Sequence, residues 1–170
     1  LPVAFGNARP LTNSATSGRY ELGLQLIDPE NPLVARVMVN RVWHWIFGAG
    51  IVRTTDNFGS TGEAPSHPEL LDYLAVKFME DGWNLKRLVK EMVMSRTYRM
   101  SSQGHAAREA DPDNRLLSRM NRKRLDAECI RDAMLAVSGT LNAKMGGPGV
   151  YPPLPPGVIT RGGWKKDEDT

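Results

Sequence analysis

Residues 31–48, NPLVARVMVNRVWHWIFG, constrain this chain more than any other stretch. Asn31 is a good helix N-cap, and Pro32 suits the first helical position, where a missing N–H is no loss. Gly48 suits the left-handed residue just past a helix end. At about 100° per residue, Val34, Met38, Val39, Val42, Trp45 and Ile46 cover more than half of the circumference. Leu33, Val37, Trp43 and Phe47 fill most of the rest. A surface helix shows one apolar stripe, so a helix apolar nearly all round predicts burial inside a larger core. A bilayer span takes roughly 20 apolar residues; this stretch is shorter and carries Arg36 and Arg41. Arg36, Asn40 and His44 recur at intervals of four and form a narrow polar seam. If buried, each needs a hydrogen-bonding partner, and the arginine above all a carboxylate; Asp56 and Asn57 of the following loop are candidate mates of Arg36.

Around this helix the chain reads as helices joined by loops. Arg19–Ile27, with Leu22 and Leu26 four apart, suits a short helix ended by Asp28-Pro29. Residues 49–65 form a long loop whose glycines, Gly50, Gly59 and Gly62, permit unusual backbone paths; loops of this length inside a compact domain are often functional. Ser66-His67-Pro68-Glu69 has the order of a capping box. The helix it opens places Leu70, Leu71, Leu74, Ala75 and Phe78 on one face and stops at Gly82. Asn84 caps the next, with Leu85, Leu88, Val89, Met92 and Val93 inward and Arg96 continuing that face. Pro112 suits the first turn of a short helix running to Met120. Asp126 suits the cap of a last one, with Ala127, Ile130, Ala133, Met134 and Val137 inward. GGPGVYPPLPPG then reads as an extended tail.

The pattern predicts an all-α fold: an irregular bundle of about five helices around the buried central helix (31–48), with one long Gly-rich loop (49–65). The expected organisation is an extended N-terminal segment (1–18), a helical domain (19–145) and a partly disordered Pro/Gly-rich tail (146–170). The opening without Met and the polar last residues suggest a fragment of a longer protein.

Charge narrows the function classes. Residues 1–83 carry 6 basic and 9 acidic side chains, and 84–131 carry 12 and 6, within a formal net charge of +3. The densest basic run, Arg119–Arg124, lacks interleaved aromatic residues for base stacking, which argues against nucleic acid; packing of a basic hairpin on an acidic half is the simpler reading. Cys129, the one cysteine, excludes an internal disulfide and any Cys-rich metal site. It sits beside the inward face of its helix and reads as a buried, inert thiol. No Gly-x-Ser-x-Gly elbow exists, and MGGPG lacks the flanking strand and helix of a phosphate loop.

The polar residues left for chemistry are Arg36, Asn40, His44, Asp56, Asn57, His67 and Arg96. A network tying the central helix to the long loop would use several of them structurally. Converged on a pocket, they would suit a small polar ligand. His67, at a helix start where the dipole favours an uncharged ring, could accept a proton. His44, Asp56 and His67 together would be chemically suitable for zinc or iron, but no ligand spacing supports a metal site, and none is assigned.

The stretches NPLVARVMVNRVWHWIFGAGIV, TDNFGSTGEAPSHPELLDYLA, SRTYRMSS, DNRLLSRMNRKRLDAECIRDAML and MGGP together resemble the planctomycete-type C-terminal domain of unknown function found in large exported proteins that also carry a cytochrome-c-like domain. The resemblance covers about Arg19 to Pro153. It implies export to the periplasm or cell surface, other domains of the same polypeptide as partners, a cytochrome-c-like domain among them, and no defined catalytic residues. The Cys-x-x-Cys-His haem motif of that companion is absent, so no cofactor is carried over. The leading expectation is a non-catalytic binding or assembly module. The rival is a hydrolytic domain using Asp56 and His67, with Arg36 and Arg96 holding an anionic substrate.

Overall fold

The computed structural model describes residues 17–103, 109–147 and 149. Among them all regular secondary structure is helical: α1 (Arg19–Leu26), α2 (Pro32–Phe47), α3 (Pro68–Glu80), α4 (Leu85–Met94) and α5 (Ala127–Ser138). The fold is all-α. By compactness the chain divides into two units, Leu1–Arg124 and Leu125–Thr170.

The first unit is built on α2. Asn31 is buried and works in both directions: its Oδ1 accepts from Leu33 N at 3.0 Å, while its Nδ2 donates to Gln25 O and Leu26 O at the end of α1. One residue thus caps the start of α2 and the end of α1. Gly48 closes α2 at φ 87° and donates its N–H to His44 O, as a left-handed C-terminal residue does. Ala35, Val39, Val42, Trp43 and Phe47 form the buried side, against Leu71, Leu74, Ala75 and Phe78 of α3 and Leu88 and Met92 of α4. Trp43 stacks on Phe47 with ring centroids 4.0 Å apart, and Tyr98 meets Phe47 edge-on at 5.9 Å.

Several local expectations change. The central helix is not buried all round: Trp45 is 64% and Met38 37% exposed, so the described residues cover only one side. Ser66 does not cap α3. The N-cap is His67, without a side-chain cap bond, and Ser66 instead donates N–H and Oγ to Ile51 O, pinning the loop to the helix start. Arg96 lies past the end of α4, at Ser95, and is exposed rather than inward. Residues 111–120 form turns rather than a helix, with Asn114 and Leu117 at φ 52° and 54°. In the second unit, α5 has no buried residue, and Cys129 is exposed, not buried. The expected tail lies mostly outside the described residues.

Candidate functional site

The long loop is ordered because α2 reaches into it. Asn40, fully buried, donates Nδ2 to Val52 O at 2.9 Å and accepts Val52 N–H on Oδ1 at 2.8 Å. The side-chain amide matches the peptide group it faces, donor to acceptor and acceptor to donor. Gly50 lies so close that a Cβ there would come within 2.3 Å of Val52 O and 2.9 Å of the Asn40 amide. Further on, Thr54 Oγ1 donates to Asn57 O and accepts from Glu63 N, folding 54–63 into a compact lobe. A Cβ on Gly62 would lie 1.9 Å from Asn57 O, so the lobe needs glycine there too.

Between this lobe and the α2–α3 pair lies a groove of about 400 Å³. Its apolar lining includes Val52, Phe58, Pro65, Pro68 and Leu71, and its polar groups are Arg36, Glu63 and Asp72. Arg36 Nε donates to Asp72 Oδ1 at 2.6 Å, and Arg36 Nη1 donates to Pro32 O. The Arg36 hydrogen bond holds the Asp72 carboxyl below the usual carboxylate range, against a smaller upward push from burial. Glu63 at the lobe pairs with Arg115 at 3.2 Å.

A second set of side chains closes the far end of α2. The last carbonyls of a helix have no partner within it and carry partial negative charge. Here Asn121 Nδ2 donates to Phe47 O at 2.9 Å, and Lys123 Nζ donates to Trp45 O and, at 3.1 Å, to Ile46 O. The segment bearing them is shaped by its own side chains. Asn114 Nδ2 donates to Arg119 O and Asn121 Oδ1, and the Arg119 guanidinium donates to Asp111 O and Pro112 O. The Asp111 carboxylate accepts the N–H groups of Leu116 and Arg115. Those bonds, Leu116 first, hold it below the usual range, with the charges of Arg119 and Arg53 adding to the effect. Part of the basic run thus binds carbonyls of its own fold.

The seven candidate residues do not converge. Arg36 lines the groove. Asn40 is consumed by Val52. His44 Nδ1 is buried and makes no hydrogen bond among the described residues. Asp56 is exposed and meets Arg41 at 3.4 Å, not Arg36. Asn57 pairs with Thr61 inside the lobe, and the His67 ring lies 3.0 Å from Ser66 Oγ. Arg96 is exposed. Among the described residues none of the seven side chains hydrogen-bonds another, and no three His, Cys, Asp or Glu side chains are placed to hold a metal ion. No helix there is long and apolar enough to cross a membrane.

Sequence reasoning missed Asp72, Phe58 and Glu63 at the groove and Asn114, Asn121 and Lys123 at the helix end. Asp72 had a usable signal: it is an acid on an expected helix, and Arg36 was read as needing a carboxylate. The others had none, since loop side chains carry no periodicity.

Neither curated proteins nor solved structures offer a match to the chain. The family described as PSD1, protein of unknown function (DUF1553), matches residues 18–170. The stretches quoted above as α2, the lobe and the turn segment 111–124 are the parts that meet in the first unit, and the chain belongs to this family.

Proposed function

We propose that the chain is a non-catalytic binding and assembly module, one part of an exported multidomain protein that also carries a cytochrome-c-like domain. The observation that carries this is the groove between the lobe and α2–α3. It is mainly apolar, with the Arg36–Asp72 pair as its polar mark, the usual make-up of a ligand-recognition site. The residues the hydrolytic rival would use are not bonded to one another: Asp56 is exposed and meets Arg41, His67 lies against Ser66, and Arg36 pairs with Asp72. The module binds no cofactor of its own in this reading. Its partners are other domains of the same polypeptide, with the cytochrome-c-like domain as the leading one by resemblance.

Titration calorimetry of the chain against the separately produced neighbouring domains tests this. Phe58→Ser removes apolar lining without touching a hydrogen bond. It is expected to weaken association about tenfold or more, the usual effect of losing an aromatic anchor. Turnover of model ester, phosphate or sulfate substrates that disappears in His67→Ala would replace this reading with the hydrolytic one.

A further inference from the structure

The groove between the lobe and α2–α3 is unevenly charged. Among its lining residues Arg36 is the one cation, and Asp72 and Glu63 are the acids. Arg36 is already committed, since Nε donates to Asp72 Oδ1 and Nη1 to Pro32 O. Each acid is only half used. Glu63 Oε2 takes its one bond from Arg115, and among the described residues neither Glu63 Oε1 nor Asp72 Oδ2 accepts a hydrogen bond. Arg115 does not line the groove, and its pair with Glu63 is half-exposed on both sides. A pair so open to solvent is weak, and a ligand cation can share its carboxylate. The bond from Arg36 keeps Asp72 ionised well into acid. Apolar lining comes with these acids, Phe58 above all, since it is only partly buried whereas Val52 and Leu71 are nearly closed over by the core.

We infer that the groove takes a segment of a partner domain that presents an apolar side chain close to a lysine or arginine. The apolar side chain lies on Phe58, and the cation takes the open oxygens of Asp72 or Glu63 in charge-assisted hydrogen bonds. A volume of about 400 Å³ is at the small end of ligand sites, which suits a few side chains of such a segment. The inference rests on the groove being a recognition site, as proposed above, and adds which partner it selects. Charge on the whole molecule works the other way. A formal net charge of +3 favours an acidic ligand at long range, so a preference for a basic one has to arise within the groove.

The test is fluorescence anisotropy of the whole chain with a short labelled peptide of leucines and lysines separated by serines. Two further versions carry glutamine or glutamate at each lysine. At about 150 mM salt the lysine peptide is expected to bind about tenfold tighter than the glutamine one, with the glutamate one weaker still. Asp72→Asn and Glu63→Gln, which keep the shape of each side chain, should each take away a few-fold of that preference and leave the glutamine peptide within about twofold. Glu80→Gln, which neutralises an exposed acid at the far end of α3, should change binding less than about twofold. Phe58→Ser should weaken all three peptides, and unchanged circular dichroism verifies the fold of every variant. Equal binding of the three peptides that still needs Phe58 would overturn the inference and leave the groove a recognition site. So would a lysine preference untouched by both acid variants, or tightest binding of the glutamate peptide with its loss in Arg36→Ala. No binding of any peptide would overturn it as well, while calorimetry with the neighbouring domains decides separately whether the groove recognises anything.

Discussion

Asn40 shows how one polar residue in an apolar helix can fix a loop. Its amide satisfies both backbone groups of Val52 in a site closed to water, so replacing it leaves a donor and an acceptor with nothing in exchange. Asn40→Leu, of similar volume, is expected to lower unfolding stability by about 3 kcal/mol in denaturant titration. A loss under about 1 kcal/mol would mean that water reaches Val52. Arg36 contrasts with this. Its pair with Asp72 is 31% and 53% exposed on the two sides, so solvent screens it, and Arg36→Ala should cost less than about 1 kcal/mol. The sequence marks Arg36, Asn40 and His44 as one seam, because spacing is all it offers at that distance. Burial, which separates a structural amide from a half-exposed guanidinium, depends on what packs alongside.

At the scale of elements, legibility follows the source of order. The boundaries of α2 were readable because Asn31, Pro32 and Gly48 act on backbone groups close by in sequence. The inner face of α3 was readable from period, since Leu71, Leu74 and Phe78 are buried as the spacing implies; on α4 only Leu88 and Met92 are, while Leu85 and Val89, expected inward, are 47% and 39% exposed at the helix surface. The segment 111–124 was not: its path is set by Asn114, Arg119 and Asp111 bonding backbone, and Pro112 gave a false helix start. The lobe is intermediate, since its glycines were visible but not what crowds them. Gly62→Ala should cost about 2 kcal/mol or more, because the new methyl would meet backbone rather than a side chain that can swing away. Gly59→Ala is the control: only the tip of Asn57, at 3.9 Å, stands near, so its cost should stay within about 0.5 kcal/mol. Equal effects would mean that the lobe yields. Lys123→Met, which keeps the stem but not the charge, should cost about 1 kcal/mol, the scale of a lost helix-end interaction.

For the whole molecule the titrating groups define a pH range. Asp72 and Asp111 both have carboxyls lowered on folding. Each therefore contributes stability that is present above the ordinary carboxylate range and lost as pH falls through the lowered, folded value. Lys77 is raised, by its hydrogen bond to Glu91 first and to Tyr73 next, so its contribution is present below the ordinary lysine range and lost as pH rises through the raised value. Denaturant titrations at pH 7, 5 and 3 should show Asp72→Asn/Asp111→Asn less stable than the parent at pH 7 and declining less on acidification. Parallel declines would mean that other carboxylates govern acid unfolding. Fold class was legible at this scale because the caps of α2 and α4 and the apolar period of α3 all specify helix, and no stretch alternates as a strand does. Function was not, because the groove and the capped end of α2 are assembled from segments far apart in sequence.

That separation has a consequence for how the protein is made. The carbonyls at the end of α2 wait for Asn121 and Lys123, which lie 74 to 78 residues later. At ribosomal speeds of about 5–20 residues per second, the helix end emerges roughly 4 to 15 s before its partners. Only late in that interval does the nascent chain contain α2, α3 and α4 together, with the last carbonyls of α2 still uncapped. The arrival of residues 121–123 then supplies the donors that the helix end has lacked.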